Sequence, residues 1–372
     1  MAYLILSTYP GKGSRNSGDH LISKSLKDLL IAVKGKQIDI DIYSVVDHEV
    51  KDVPDLSKYT AILSPAMRPT LEGDVIAPKN RYAFLKEAEK RSIPVFAIGA
   101  GWGAYPGTIK QSTSLKMNSE DREQLISIFG ETSHGNKRGV ISARDITTEN
   151  LLHYNGVQCY GTTGDCALFD TDCLMTRHNL PRKMDNIALS LPHNKDHWDM
   201  SYSLALQLKQ AFNCEVFMTL HGYRGSFGKH IPPHWDQTQV NIKEFAGSSE
   251  KFDFYHHMDA HIGFRLHAHI WFLRTRKPSL LIAEDGRGLG HLATLNGLGY
   301  AAPSTNSLNK ADQLITLSAD VIADMRKEQP SFKAVEMFKQ EMMQGYPVTS
   351  HSLNLIDKLW LTKMKPLLEQ IP

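Results

Sequence analysis

The sequence predicts an α/β protein of two Rossmann-like domains, and three observations carry that prediction. The chain has 372 residues, more than one hydrophobic core usually serves, since a domain takes roughly 100 to 200. Its composition, 41% apolar and 22% charged, is that of a packed globular protein. Short apolar runs recur along it, each closed by a glycine-rich or polar turn and followed by a helical pattern, which is the signature of βαβ units in a parallel sheet.

In chain order, the first half offers strands at Tyr3 to Ser7, Ile38 to Tyr43, Ala61 to Ser64, Pro94 to Ile98, Gly139 to Ala143 and Cys166 to Phe169. The second half offers Asn186 to Leu191, Glu215 to Thr219, Ala260 to Phe264 and Ser279 to Ala283. Amphipathic stretches lie between them. In Leu21 to Val33, for example, Leu21, Ile22, Leu26, Leu29, Leu30 and Val33 recur at helical spacing. The polar, proline-bearing stretch from Thr176 to Asp185 predicts the domain boundary. We therefore expect units at 1–178 and 179–350, followed by a helical segment at 351–372. That tail, helical from Ser352 to Leu368, is expected to cross back onto the first domain.

Charge and cysteine usage exclude several function classes. Lys plus Arg number 42 against 40 acidic residues, so the net charge is +2 and no overall basic field recruits nucleic acid. The opening apolar run lacks a basic leader and stops at Pro10, which suits a buried strand rather than a signal peptide, and cytoplasmic residence is expected. Arg274, Arg276 and Lys277 interrupt the most apolar stretch, leaving nothing near the roughly 18 residues a bilayer span needs. Any membrane association is expected to be peripheral, at the inner surface. Cys159, Cys166, Cys173 and Cys214 form no CxxC pair and read as buried thiols.

Histidine is unusual: 17 occur, and His256, His257, His261, His267 and His269 fall in one short segment. Ligands of an open α/β sheet sit beyond the carboxyl ends of the strands, where helix N-termini present free amides. Four such places stand out: Gly18-Asp19-His20, Gly99 to Gly103, His221 to Ser226, and Arg265-Leu266-His267. The last reads as a strand, a turn at Arg265, and a helix from Leu266 through Phe272 that ends before Arg276-Lys277-Pro278. A guanidinium at a strand end grips a phosphate or carboxylate with paired hydrogen bonds. An anion held there favours protonated His267, suiting it to act as a general acid. A lone histidine at a helix start is ordinarily a packing or capping group; Arg265 two residues earlier is what argues for a site. His257 and His261 are spaced i, i+4, but no third ligand follows at a known metal spacing, and no metal is expected.

With those elements in place, the run DAHIGFRLHAHIWFL from Asp259 to Leu273, followed by Lys277-Pro278 and LLIAED from Leu280 to Asp285, resembles the polysaccharide pyruvyl transferases. Gly18-Asp19-His20-Leu21-Ile22, Ile98 to Gly103, Ile141 to Asp145 with Leu151-Leu152, Asp285-Gly286-Arg287 and Leu295 to Leu298 recur in that family's order. The resemblance spans roughly residues 1 to 300. It implies a glycosyltransferase-B-like pair of Rossmann domains facing a cleft, the first on the acceptor side and the second on the donor side. It also implies transfer of the pyruvyl group of phosphoenolpyruvate, a co-substrate, onto a sugar of a glycan or lipid-linked precursor, with no cofactor. Carried over by position, Arg265 would hold the donor's phosphate or carboxylate and His267 would be the catalytic acid and base. Arg144 is a further carried-over candidate for the donor's second anionic group; Leu266, His221 and Arg224 are donor-side candidates from their places beyond the strands, and Asp19, with the rings of Trp102 and Tyr105 that could stack on a sugar, candidates for the acceptor side. Trp102 and Tyr105 depart from the smaller residues usual there, and Arg287 replaces a frequent lysine. Two rival readings are a nucleotide-sugar glycosyltransferase of the same fold, with Glu284 or Asp285 on the ribose, and a catalytically silent glycan-binding protein.

Overall fold

The computed structural model describes residues 1–9, 16–53, 55–68, 79–103, 116–117, 119–130, 139–222, 231–302 and 331–372. The first unit is built on strands β1 (Ala2–Ser7), β2 (Asp39–Ser44), β3 (Ala61–Pro65), β4 (Val95–Ala100) and β5 (Gly139–Ala143), all parallel in the order β2-β1-β3-β4-β5. β3 and β4 are buried along their whole length, as a parallel sheet covered on both faces requires. The covering helices are α1 (Ser17–Lys34), α2 (Lys79–Lys90), α3 (Ser119–Phe129) and α4 (Ile146–Tyr154). Asn16 starts α1 by accepting the Gly18 amide at 3.1 Å, and the helix buries Leu21, Ile22, Leu26, Leu29 and Leu30 along one face.

The second unit holds β6 (Asn186–Ser190), β7 (Glu215–Leu220), β8 (Asn241–Glu244), β9 (Ala260–Gly263), β10 (Ser279–Ala283) and β11 (Gly299–Ala301), again all parallel, ordered β11-β10-β9-β6-β7-β8. Around it lie α5 (Trp198–Phe212), α6 (Leu266–Arg274), α7 (Gly286–Leu295) and α8 (Phe332–Met343). The chain then runs through α9 (Pro347–Leu359), a π turn at Trp360–Met364 and α10 (Lys365–Gln370). This tail does cross back. Leu353, Ile356, Trp360, Leu367 and Ile371 share one buried cluster with Tyr3, Ile5, Leu26 and Leu29 of the first unit. The Tyr3 hydroxyl donates to the Pro372 carbonyl at 2.6 Å, and Lys34 Nζ donates to the Ile371 and Glu369 carbonyls at 2.5 and 2.9 Å.

The two parallel-sheet α/β units are thus as expected, with three local differences. Cys166 to Phe169 is no strand: Cys166–Leu168 forms a 3₁₀ turn that Asp165 caps by accepting the Ala167 amide at 2.9 Å. Four apolar residues cannot by periodicity distinguish a strand from a buried turn. β8 and β11 were not anticipated, because β8 is a mostly exposed polar edge strand and β11 has only three residues. The last strand of the first sheet ends at Ala143 and the first of the second begins at Asn186, so a long connection joins them.

Candidate active site

The cleft forms where the carboxyl ends of both sheets meet. β9 approaches β6 so closely at Gly263 that a Cβ there would lie 2.6 Å from the Ser190 amide nitrogen, so only glycine fits. The chain then turns at Arg265, whose amide donates to Ser190 Oγ at 2.9 Å. Arg265 is the N-cap of α6 but gives no side-chain cap, so first-turn amides of that helix are left for an anion. Its guanidinium is held from behind, Nη2 donating to the His221 carbonyl at 2.5 Å. Burial first, and Arg287 after Glu284's opposing pull, push Arg265 down to about 10, which leaves it cationic at neutral pH.

His267 follows in the first turn of α6 and is 9% exposed. It touches both units. A Cβ at Gly18, at the start of α1, would lie 2.3 Å from His267 Nδ1. On the other side, His267 Nε2 lies 3.6 Å from Asp165 Oδ2, which also accepts from Arg144 Nη1 at 3.2 Å. Burial would raise the Asp165 carboxyl, but His267, Arg144 and the Ala167 amide outweigh it and hold it well below the usual carboxylate range. Arg144, 3% exposed at the end of β5, packs against the backbone of Gly101, and among the described residues its Nε and Nη2 have no hydrogen-bond partner.

Further charges surround this core. Asp285 caps α7 and pairs with Arg287 through Nε at 2.9 Å and through Nη2. Burial opposes the ionised carboxylate, yet Arg287 draws Asp285 down to about 2. Arg287 in turn lowers Arg68, just beyond β3, to about 10, and Asp19 lies in the field of Arg68, Arg265 and Arg287. Among the described residues Asn16, His193, His221, Phe264, Leu266 and Glu284 complete the walls, and the space enclosed is only about 30 Å³, room for one or two waters.

The structure therefore brings together Arg265, Leu266, His267, Arg144 and Asp19 from both units. His221 reaches Arg265 only through its carbonyl; its imidazole turns inward to Tyr255 Oη at 2.7 Å, and burial holds its pKa far below the usual value. Trp102 corrects the expectation of an acceptor-stacking ring, for it is 1% exposed inside the core of the first unit, its amide donating to Thr148 Oγ1 at 2.8 Å. Tyr105 and Arg224 lie outside the described residues. Glu284, the rival reading's ribose ligand, accepts the His193 and Asn194 amides at 2.9 and 3.2 Å. Two of the clustered histidines are architectural: His261 bridges Ser190 and Ser279, and His269 also bonds Ser279. Two participants were missed, Asp165 and Arg68. Both follow recognisable signals, Asp165 a Gly161-Thr162-Thr163-Gly164 turn and Arg68 the carboxyl end of β3.

The family model of the polysaccharide pyruvyl transferases matches residues 16–286. No curated protein matches the chain significantly. Among solved structures, the UDP-N-acetylglucosamine 2-epimerase of Rickettsia bellii is 14% identical, with 97% of this chain and 98% of that one covered and a TM-score of 0.46. S. aureus MnaA, in its UDP co-structure, is 12% identical with 93% and 97% covered and a TM-score of 0.46. The UDP-GlcNAc 2-epimerase of Neisseria meningitidis, bound to UDP-GlcNAc, is 12% identical with 93% and 100% covered and a TM-score of 0.44. Among the described residues no helix is long and apolar enough to cross a membrane, and no group of three or more potential metal ligands is gathered.

Proposed function

The chain belongs to the polysaccharide pyruvyl transferase family, and on that premise we propose that it moves the pyruvyl group of phosphoenolpyruvate onto two hydroxyls of one sugar, forming a pyruvate ketal on a glycan or its precursor. The observation that supports this reading is the strand-to-helix junction at Arg265 and His267. There a buried cation, first-turn amides without a side-chain cap and an imidazole converge beside Arg144, whose guanidinium has unused donors. A donor carrying both a phosphate and a carboxylate needs two such cationic anchors. Arg265 takes one and Arg144, with Arg68 and Arg287 nearby, the other.

The chemistry follows from the charges. Protonation of the donor's methylene by His267 forms a C–H bond from the π electron pair and leaves positive charge on the neighbouring carbon, where one sugar hydroxyl adds. Phosphate departs with the electrons of its C–O bond, and the second hydroxyl closes the ketal. The two hydroxyl protons finish, in net, on the new methyl group and on phosphate. Arginines fixed in a dry cleft stabilise the departing anion without reorganising. Closure of the two units around the donor would exclude water from the step.

The test supplies phosphoenolpyruvate with galactose-, mannose- or N-acetylhexosamine-bearing acceptors. Phosphate release that depends on one of these acceptors, with a ketal detected on the sugar, is expected. No release with any acceptor, together with turnover of a nucleotide sugar, refutes the reading.

A further inference from the structure

The mechanism just given uses His267 but says nothing of what fixes its ring, and Asp165 is the group in contact with it. We propose that Asp165 is the positioning carboxylate of His267, directing the Nε2–H toward itself so that Nδ1, on the Gly18 side, delivers the proton. The proposal rests on the pyruvyl-transfer reading for the step it serves, and on geometry for the pairing.

Asp165 stands in the connection between the two units and is 1% exposed. One of its oxygens, Oδ1, accepts the Ala167 amide at 2.9 Å, which fixes the carboxylate's plane. The other, Oδ2, lies 3.2 Å from Arg144 Nη1 of the first unit and 3.6 Å from His267 Nε2 of the second. A buried carboxylate so placed has two cations to satisfy it when His267 is protonated and one when it is not. It therefore selects the ring orientation. At 3.6 Å the contact is longer than a hydrogen bond, and it shortens if the cleft closes on the donor. The opposite ring nitrogen, Nδ1, faces Gly18 at the start of α1, where a Cβ would sit 2.3 Å away, so glycine is what leaves the ring room in this orientation. In the step itself the Nδ1–H bond breaks as the methyl C–H bond forms, and the neutral ring recovers a proton from the attacking sugar hydroxyl.

The charged and titratable groups facing His267 come from every element around it. Among the described residues they include Asp165 from the connection, Arg144 beyond β5, Asp19 in α1, Arg265 beside it, His221 beyond β7, His291 in α7, and His193, Glu284, Asp285 and Arg287 of the same pocket. Burial first, and neighbouring positive charge after it, lower His291 to about 3 and hold His221 well below its usual value, so neither rivals Asp165 as a counter-charge.

The experiment compares wild type with Asp165→Asn and Asp165→Glu, using phosphoenolpyruvate and the acceptor that supports wild-type turnover. Asp165→Asn is expected to lower kcat at least about 100-fold with KM for phosphoenolpyruvate nearly unchanged, and to move the alkaline limb of the kcat profile toward lower pH. Asp165→Glu recovers part of both. In parallel, nitrogen-15 spectra of the histidine-labelled wild type, assigned by difference from His267→Gln, are expected to show the Nε2–H tautomer in the neutral ring. This second measurement stands if Asp165→Asn fails to fold, and it also stands if the wild type releases no phosphate, an outcome that removes the pyruvyl-transfer reading alone. An Nδ1–H tautomer overturns the proposal. So does an active wild type whose Asp165→Asn variant keeps its rate, or loses rate with the alkaline limb unmoved.

Discussion

Gly18→Ala tests the placement of His267 without removing a charged residue. The added methyl carbon would stand 2.3 Å from His267 Nδ1, 2.6 Å from Cγ and 3.0 Å from Cβ. Because the ring's pivot is struck as well as its edge, rotation about χ2 cannot relieve the clash. Restoring ordinary van der Waals contact requires His267 to move by about 1 Å relative to α1, and a displacement of that size costs about 100-fold in rate when geometry is what an active site supplies. The helix itself does not suffer. Gly18 is the second residue of α1 and has no positive φ, so alanine is tolerated by the backbone and even favoured by about 0.5 kcal/mol in a helix. The strain of the shifted contact, about 1–3 kcal/mol, exceeds that gain, so the expected outcome is a melting temperature lowered by a few degrees together with a kcat lowered about 100-fold. Phosphate release and a thermal melt on the same preparation measure both. A variant that releases phosphate at the wild-type rate would refute the placement of His267 against α1.

Arg265→Lys keeps the charge but loses the fork that reaches the His221 carbonyl while leaving donors for the substrate. We expect KM for phosphoenolpyruvate to rise about 10- to 100-fold, measured at saturating acceptor; an unchanged KM removes Arg265 from the donor site. The protein is also expected to lose stability in mild acid. Burial holds His261 and His291 at about 3, and His221 and His269 well below their usual value. Unfolding lets each take up a proton below about pH 6.5, so stability is present above that pH and falls as pH drops toward 3. Each histidine removes roughly 1 kcal/mol between pH 6.5 and 5.5, and the melting temperature drops by several degrees. A flat profile over that unit would show that these rings are not buried neutral.

The fold was legible where one physical rule acted alone. Leu4, Ile62, Ala97, Ala188 and Leu281 sit in runs whose continuous apolar character has no other outlet than a covered parallel sheet. It was illegible where two rules compete: Cys166-Ala167-Leu168 has a strand's composition, but the Asp165 carboxylate closes the amides into a turn. In the site, Arg265 and His267 were readable because chain position alone places them beyond a strand and within a helix's first turn. Trp102 was misread for the complementary reason. Its neighbours Gly101 and Gly103 mark a ligand-side loop, while the ring's burial in the first unit's core and the backbone amide's bond to Thr148 are decided by residues far along the chain. Asp165 was invisible as a partner because its two cations lie 21 residues behind it and in a different sheet unit, a juxtaposition that only the packed connection creates.

The returning tail has a consequence for how the cleft works. The chain passes from the first unit to the second through the connection after β5 and comes back through α9 and α10, where Tyr3 and Lys34 anchor the final residues. A body joined to another by one strap can swing and twist in any direction, whereas two separate straps pin a hinge line. Two crossings favour rotation about the line through them, like a door on two pins, over sideways sliding in any relative motion of the units. The same two crossings fix which face of α1 meets α6, and so hold Gly18 against the His267 ring.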